Sequence, residues 1–323
     1  MIWMTWRQHR TEMLVLAGIV AVMGLIVVAL GLSMRGLFPD GVAACTHADV
    51  TSGDSCGLAL SKLSDGYGHA TFLSMLATLV PFAIGAFLGA PLLAREFEAG
   101  TWQLAWTQAV PRLRWLGVKI VALAGLTVLL TLALSALISW YRAPMDMFEG
   151  KLGQIGYEVE GVVPVAYGLF AFALATAAGV LLRRSLAGLA VAAVAFVVAR
   201  IGVASFARPK FATAMTLVQA MQEKGRDDTR GTGKVGDWTI GQTFVDASGH
   251  ALATPTLDKL SGEATEAGVS VPTYFQQHGI QRVITYQPGD RFWHFQLVEA
   301  GLYAAASLLL VALVVWRVRR RSL

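Results

Sequence analysis

The side chains that could do chemistry are concentrated in a short connector between two long apolar runs. It begins with Arg95-Glu96-Phe97-Glu98-Ala99-Gly100-Thr101 and carries three tryptophans and a basic end, namely Trp102, Trp106, Trp115, Arg112, Arg114 and Lys119. A connector between two membrane spans is exposed to water on one side of the bilayer. Two acids, a Gly-Thr break and apolar anchors are more than a plain turn needs, so we expect another molecule to dock here.

The rest of the sequence holds no catalytic or nucleotide-binding motif. Gly231-Thr232-Gly233-Lys234 fails as a phosphate loop because Asp228 stands where the pattern needs glycine and Val235 follows the lysine. The histidines lack zinc-site spacing, and no G-x-S-x-G motif occurs. We therefore expect no catalytic residue, no metal and no cofactor bound by this chain. Any energy for directed work must come from another protein.

Composition indicates the elements that must position the connector. The chain is 55% hydrophobic and 15% charged, with a mean hydropathy of +0.57, which is far from a soluble domain. Apolar windows long enough to span a bilayer occur near 13–34, 71–93, 116–139, 162–182, 186–206 and 297–316. The first window is too long for a signal peptide and lacks a cleavage site after it.

We predict an all-α polytopic membrane protein with six transmembrane helices. Trp3, Trp6, Arg7 and Arg10 favour an N-terminal interfacial helix before the first span. Residues 1–206 would hold helices 1–5 with a cytoplasmic coupling segment at 95–114. Residues 207–296 would form a large external loop or small domain, with helix at its start and a strand over 281–286. Residues 297–323 would be helix 6 and a basic tail.

The distribution of Lys and Arg predicts that both termini are cytoplasmic. Twelve basic residues fall in the segments on the side of the termini: Arg7, Arg10, Arg95, Arg112, Arg114, Lys119, Arg183, Arg184, Arg317, Arg319, Arg320 and Arg321. The two short loops on the other side hold four: Arg35, Lys62, Arg142 and Lys151. Basic residues in short loops mark the cytoplasmic side. The basic tail suits anionic lipid headgroups better than nucleic acid.

Both cysteines, Cys45 and Cys56, fall in the first external loop. An oxidising exterior permits a disulfide between them, and two independent thiols are the alternative.

Few polar features occur inside the spans. Pro81 and Pro91 predict a kinked second span that could act as a hinge. Arg200 lies deeper in the fifth span than other charges, where it either reaches the headgroups or contacts a substrate or partner. We expect Lys119 and Glu299, near span ends, to reach headgroups, so no polar cluster converges at one membrane depth. That weighs against an enzyme acting on lipids.

The connector resembles the signature of ABC-2 type permeases, the membrane subunits of a class of ABC transporters that are mostly exporters. The match is Arg95-Glu96-Phe97-Glu98-x-Gly100-Thr101-x-x-Leu104, followed by Pro111-x-x-Arg114 and Lys119. Its position between the second and third of six spans agrees as well. The chain looks most like actinobacterial members, which implies a bacterial plasma membrane. The external segment is longer and more polar than is typical of the family.

The resemblance implies a coupling helix that docks on separate ABC ATPase subunits, which would bind ATP and Mg²⁺. Gly100 would allow a sharp turn, Thr101 would cap the next helix, and Glu96 and Glu98, near a helix start, would pair with basic residues of the ATPase. The implied coupling residues are Arg95, Glu96, Phe97, Glu98, Gly100, Thr101, Trp102, Leu104, Trp106 and Arg114.

It also implies a second permease copy or a paralogue, and the apolar spans favour a hydrophobic or amphipathic cargo. The alternative is a membrane sensor or accessory protein that transports nothing and binds a ligand through its external domain.

Overall fold

The computed structural model describes residues 2–38, 45, 55–65, 67–100, 111–220, 232, 234 and 236–320. Within these ranges, six helical stretches are long and apolar enough to cross a membrane. They run over Trp6–Arg35, Phe72–Glu98, Leu113–Met147, Val163–Leu182, Ser185–Lys210 and Gly289–Arg320, and are called spans 1 to 6 below. The predicted six-helix membrane fold is confirmed.

The helices of the described residues follow the chain in a simple order. They are α1 (Ile2–Arg35), α2 (Ser55–Asp65), α3 (Tyr67–Ala77), α4 (Val80–Gly89), α5 (Pro91–Glu98), α6 (Arg112–Glu149), α7 (Gln154–Val159), α8 (Val163–Leu182), α9 (Ser185–Gly202), α10 (Thr254–Glu266), α11 (Val271–Gln277) and α12 (Phe292–Arg320). Because α1 runs unbroken from Ile2 into span 1, a separate N-terminal interfacial helix is not confirmed.

Span 2 consists of three helices rather than one. Thr78 and Leu79 form a turn between α3 and α4, and Ala90 separates α4 from α5. Pro81 is the second residue of α4 and Pro91 is the first of α5, positions where a missing N–H is tolerated. Each proline leaves the carbonyl four residues earlier without its helical donor, so the span is interrupted near both.

Span 4 lies at the centre of the bundle and packs against spans 2, 3, 5 and 6. Close approach to span 2 depends on glycine, because a methyl group at Gly85 or Gly89 would clash with the backbone of span 4. On the other side, Gly188 of span 5 packs directly on Gly179. The Ala- and Gly-rich spans 4 and 5 therefore pack against each other, as their composition favours.

The segment between spans 5 and 6 contains a small antiparallel sheet. Its strands are β1 (Met215–Ala220), β2 (Trp238–Val245) and β3 (Gln281–Gln287), in the spatial order β1-β3-β2. The expected strand at 281–286 is thus confirmed. The expected helix at the start of the segment is wrong, because only a short 3₁₀ turn, Arg208–Lys210, precedes β1.

The bundle has two different ends. The connector end holds the start of α1, the end of α5, the start of α6, the Arg183-Arg184 turn and the end of α12. The sheet end holds the sheet, α2, α7 and a disulfide between Cys45 and Cys56, whose Cα atoms are 5.4 Å apart.

Candidate functional site

The last turn of α5 holds four consecutive side chains that contact three other parts of the bundle. Arg95 reaches span 1, Glu96 reaches span 3, and Phe97 and Glu98 reach the turn between spans 4 and 5. Consecutive helical residues point about 100° apart, so four in a row project all around the helix. We call Arg95, Glu96, Phe97 and Glu98 the α5 hub.

Arg95 forms an ion pair with Glu12 of span 1. The Arg95 side chain is 58% exposed, while Glu12 is largely buried. His9, one turn before Glu12, has its Nδ1 4.0 Å from the same carboxylate and is itself buried. Arg95 thus fixes span 2 to span 1, while more than half of its side chain stays exposed.

Glu96 binds Lys119 of span 3 across a distance of 2.5 Å between Oε1 and Nζ. The Lys119 side chain is buried and that of Glu96 is largely buried, and the Lys119 ammonium also lies 4.3 Å from the centre of the Trp115 ring. The expectation that Lys119 reaches the headgroups is therefore wrong. Glu96 is occupied inside the chain and could meet an outside partner only if this pair opened.

Glu98 binds the first residue of α9. Its carboxylate accepts hydrogen bonds from the Ser185 backbone N–H at 2.7 Å and from Ser185 Oγ at 3.0 Å. The carboxylate thus satisfies a free N–H at the positive end of a helix from another element. The expectation that Glu96 and Glu98 stand near a helix start is wrong for their own helix, because both lie in the last turn of α5.

The turn that Glu98 holds is tight and strained. Arg183 ends α8 with φ +56°, a left-handed conformation that costs a non-glycine residue of order 1–3 kcal/mol. Its backbone N–H donates to Gly179 O at 2.8 Å, and its guanidinium lies 5.8 Å from the Phe97 ring. The α5 hub contacts both sides of this turn, Arg183 and Ser185.

After the hub, Gly100 adopts φ +67°, which glycine tolerates best. Thr101, Trp102, Leu104 and Trp106 lie outside the described residues. The next described residue is Pro111. Arg114 is exposed in the first turn of α6 and makes no ion pair with any described residue.

Sequence reasoning missed the internal partners of the hub, which are Glu12, Lys119 and Ser185. Two signals were available. Glu12 is the only acid among the first 39 residues, and Lys119 stands eight residues into α6. An ionisable residue within a span is expected to have a partner inside the bundle.

A second polar cluster lies toward the sheet end and was not expected. Glu299 of span 6 is fully buried and accepts hydrogen bonds from Arg208 Nε at 2.8 Å, Tyr157 OH at 3.0 Å and Tyr167 OH at 2.5 Å. Glu299 therefore does not reach headgroups, and the expectation that no polar cluster forms is wrong. Its partners come from α7, span 4 and the end of span 5, so the cluster fixes these elements to span 6.

Arg200 extends this cluster to the break in span 2. Its Nη2 lies 2.5 Å from Glu158 Oε2 on α7, and its Nη1 donates to Thr78 O at 3.1 Å. Thr78 is in the turn between α3 and α4, where helical hydrogen bonding is interrupted. Arg200 is thus bound inside the chain and supplies a donor to the interrupted span.

These two clusters can hold helices together, and neither has the composition of a metal site. Among the described residues, no group of three or more His, Cys, Asp or Glu could hold a metal ion. The ionisable groups of the hub are paired between helices, which suits the transmission of a movement from one helix to its neighbours.

A family model described as "ABC-2 membrane transporter related" matches residues 17–208. The match begins within span 1, ends near the end of span 5 and includes the α5 hub, whereas Glu12 and Glu299 lie outside it. Neither the curated proteins nor the solved structures give a significant match. Since the family model covers more than half of the sequence, the chain belongs to the ABC-2 membrane transporter related family, as a multi-pass membrane component of a transporter.

Proposed function

We propose that the chain is the permease subunit of an ABC transporter and that separate ATPase subunits bind at its connector end. The observation that carries the proposal is the α5 hub. A force applied to the chain just after Glu98 would reach span 1 through Arg95, span 3 through Glu96 and the turn between spans 4 and 5 through Glu98. A single docking point therefore acts on five of the six spans.

The exposed side chains of this end are suited to contact a partner. Arg95 and Glu98 each use part of their hydrogen-bonding capacity inside the chain and remain exposed, and Arg114 is exposed without an ion pair to a described residue. Charged groups of both signs at a water-exposed end favour recognition of a complementary surface. Trp102, Leu104 and Trp106, outside the described residues, remain the proposed apolar anchors.

We also propose a second permease copy or paralogue and a hydrophobic or amphipathic cargo. Span 5 is the least buried of the six described spans and exposes Leu186, Val194 and Val198. An apolar face of this kind is covered in a membrane by lipid or by another helix. The membrane would be the bacterial plasma membrane, with the connector end in the cytoplasm, and ATP with Mg²⁺ would bind to the partner subunit.

Co-purification tests the docking. The tagged chain, extracted from its own host in mild detergent, should carry a subunit with Walker motifs and ATPase activity. Arg114→Glu should remove that subunit, because it reverses a charge that supports no described internal contact. Lys259→Glu makes the same reversal on a 77% exposed side chain at the sheet end and should leave the complex intact.

Glu98 requires a second control because it also caps α9. Glu98→Arg should release the ATPase, whereas Ser185→Ala, which removes only the Oγ hydrogen bonds to Glu98, should retain it. If the wild-type chain carries no ATPase and neither connector variant changes its partners, the permease proposal is wrong. The sensor or accessory protein would then be the better interpretation.

A further inference from the structure

Arg282 is a buried cation in the sheet between spans 5 and 6, and it has no counter-ion among the described residues. The residue is 7% exposed, on the central strand β3. Its guanidinium makes a single hydrogen bond to a described residue, from Nη2 to Gln219 Oε1 at 2.7 Å. Among the described residues, its Nε is buried without an acceptor, and no carboxylate lies within ion-pair distance.

Such an arrangement is costly unless an anion completes it. A guanidinium carries five N–H donors, and a buried charge without a partner is strongly unfavourable. The other two buried arginines among the described residues illustrate the usual solution. Arg142 binds Glu160, and Arg208 binds Glu299. Arg282 alone of the three has only a neutral amide, which indicates that its partner comes from outside the described chain.

The neighbours of Arg282 define what that partner would be. Gln219 on β1 and Phe244 on β2 are its cross-strand neighbours, so all three share one face of the sheet. Phe244 packs edge-on against Phe275 of α11, with ring centres 5.9 Å apart, and makes one side of the site apolar. On the other side, Gln219 holds its amide in place through Oε1, which leaves Nε2 as a second donor.

Among the described strands, β1 forms one edge of the sheet. β1 pairs only with β3, and Gln219 is half-buried there. One cation in otherwise neutral surroundings compensates one negative charge, which favours a carboxylate over a dianionic phosphate. The aromatic wall favours an apolar or aromatic body attached to that carboxylate.

We propose that the sheet domain binds a small carboxylate with an apolar body, through Arg282 and Gln219. This site is independent of the ATPase docking at the connector end, so failure of either proposal leaves the other standing.

The test uses the full chain in nanodiscs and ligand-observed NMR with phenylacetate as the probe. Phenylacetamide, its neutral isostere, and inorganic phosphate serve as comparison probes. Phenylacetate should bind, the amide should bind at least about tenfold more weakly because it lacks the charge-assisted hydrogen bonds, and phosphate should not displace phenylacetate.

Two variants should abolish binding while the domain stays folded. Arg282→Met removes the cation and retains an unbranched apolar side chain. Gln219→Glu puts a carboxylate where Oε1 already accepts a hydrogen bond from Arg282. The new carboxylate should form an ion pair with Arg282, which would block the ligand and raise the thermal midpoint. Lys259→Met, which removes a positive charge from the exposed face of α10, is the matched control and should bind as the wild type does.

The proposal is overturned if the wild-type chain binds no phenylacetate or if Gln219→Glu binds it unchanged. Equal binding of phenylacetate and phenylacetamide would also overturn it, because the guanidinium would then play no part. Displacement by phosphate at equal concentration would overturn the assignment to carboxylates.

Discussion

At the scale of single residues, Glu96 and Lys119 show how the connector motif serves the bundle. Lys119 is buried, Glu96 is largely buried, and each is the other's only charged partner among the described residues. A buried pair of this kind adds little net stability, but breaking it by removing one partner leaves an isolated charge. The pair therefore specifies one arrangement of spans 2 and 3.

Lys119→Met should destabilise the chain by about 3–5 kcal/mol, because Glu96 would remain buried without its cation. The double variant Lys119→Met/Glu96→Gln should recover most of this loss, because no buried charge remains. Unfolding in mixed detergent micelles, followed by circular dichroism, would measure all three free energies of unfolding. If the double variant is as unstable as the single one, the effect comes from packing around Lys119 and the charge pair is not its cause.

Glu160 introduces a pH dependence at the sheet end. The residue lies between spans 3 and 4, where burial and the nearby Asp146 carboxylate raise the pKa of Glu160 to about 7, although Arg142 and Lys151 oppose the shift. The ordinary pKa of a glutamate is 4.5. At a pH between 4.5 and about 7, Glu160 is therefore protonated in the folded chain and ionised in the unfolded chain. Because the folded state binds more protons than the unfolded state in this range, the free energy of unfolding falls as the pH rises from about 4.5 to about 7.

Glu160→Gln should remove that part of the pH dependence, since glutamine does not titrate. Thermal midpoints at several pH values between 4.5 and 8 would compare the two proteins. Glu263→Gln, on the exposed side of α10, is the control and should keep the wild-type profile. A Glu160→Gln profile that still falls over the same pH range would show that another group is responsible.

At the scale of elements, Arg200 ties the interrupted span 2 to α7 and span 5. It donates to Thr78 O in the turn between α3 and α4 while it pairs with Glu158. A carbonyl in an interrupted helix within the membrane costs several kcal/mol if it is left without a donor. Arg200 therefore stabilises the break in span 2 in its present form.

Arg200→Met should loosen this break, because Thr78 O would lose its donor. Hydrogen exchange in nanodiscs should then become at least about tenfold faster at the amides of Val80, Phe82 and Ala83, corresponding to a lost hydrogen bond to a charged group. Glu158→Gln keeps the contact between Arg200 and Thr78 and should change exchange there much less. Unchanged exchange in Arg200→Met would show that packing alone holds the break.

The number and order of the spans could be predicted from the sequence, because a bilayer requires about twenty apolar residues wherever the chain crosses it. Their ends could not, since spans 3 and 6 extend beyond the apolar windows to Met147 and Gly289. The strand at 281–286 could be predicted from its β-branched residues. The partners of Glu96, Glu98 and Glu299 could not be predicted. They lie on other elements than the glutamates themselves, and helix packing decides which side chains meet. Ser185 in particular carries no local sign that a carboxylate 87 residues earlier binds it.

At the scale of the whole molecule, the two polar clusters lie at opposite ends of the same helices. The α5 hub fixes the connector end, and the cluster around Glu299, Arg208 and Arg200 fixes the sheet end. Span 2 takes part in both clusters. Its last helix, α5, carries the hub, and its turn at Thr78 accepts a hydrogen bond from Arg200. A movement of α5 therefore has a continuous route through α4 to the break. At the sheet end, the buried Gln287 and the partly exposed Arg291 donate hydrogen bonds to the chain that follows span 5.

The orientation of this arrangement determines whether an ATPase could reach the hub, and cysteine labelling tests it. On a Cys45→Ser/Cys56→Ser background, Lys259→Cys at the sheet end should react with a membrane-impermeant maleimide in intact cells. Arg114→Cys should react only after the cells are permeabilised, because the excess of Lys and Arg in the short connector-end segments favours the cytoplasm. Both side chains are exposed, so unequal labelling reports sidedness. The reverse pattern would place the connector away from cytoplasmic ATP, and docking of an ATPase at the α5 hub would then be untenable.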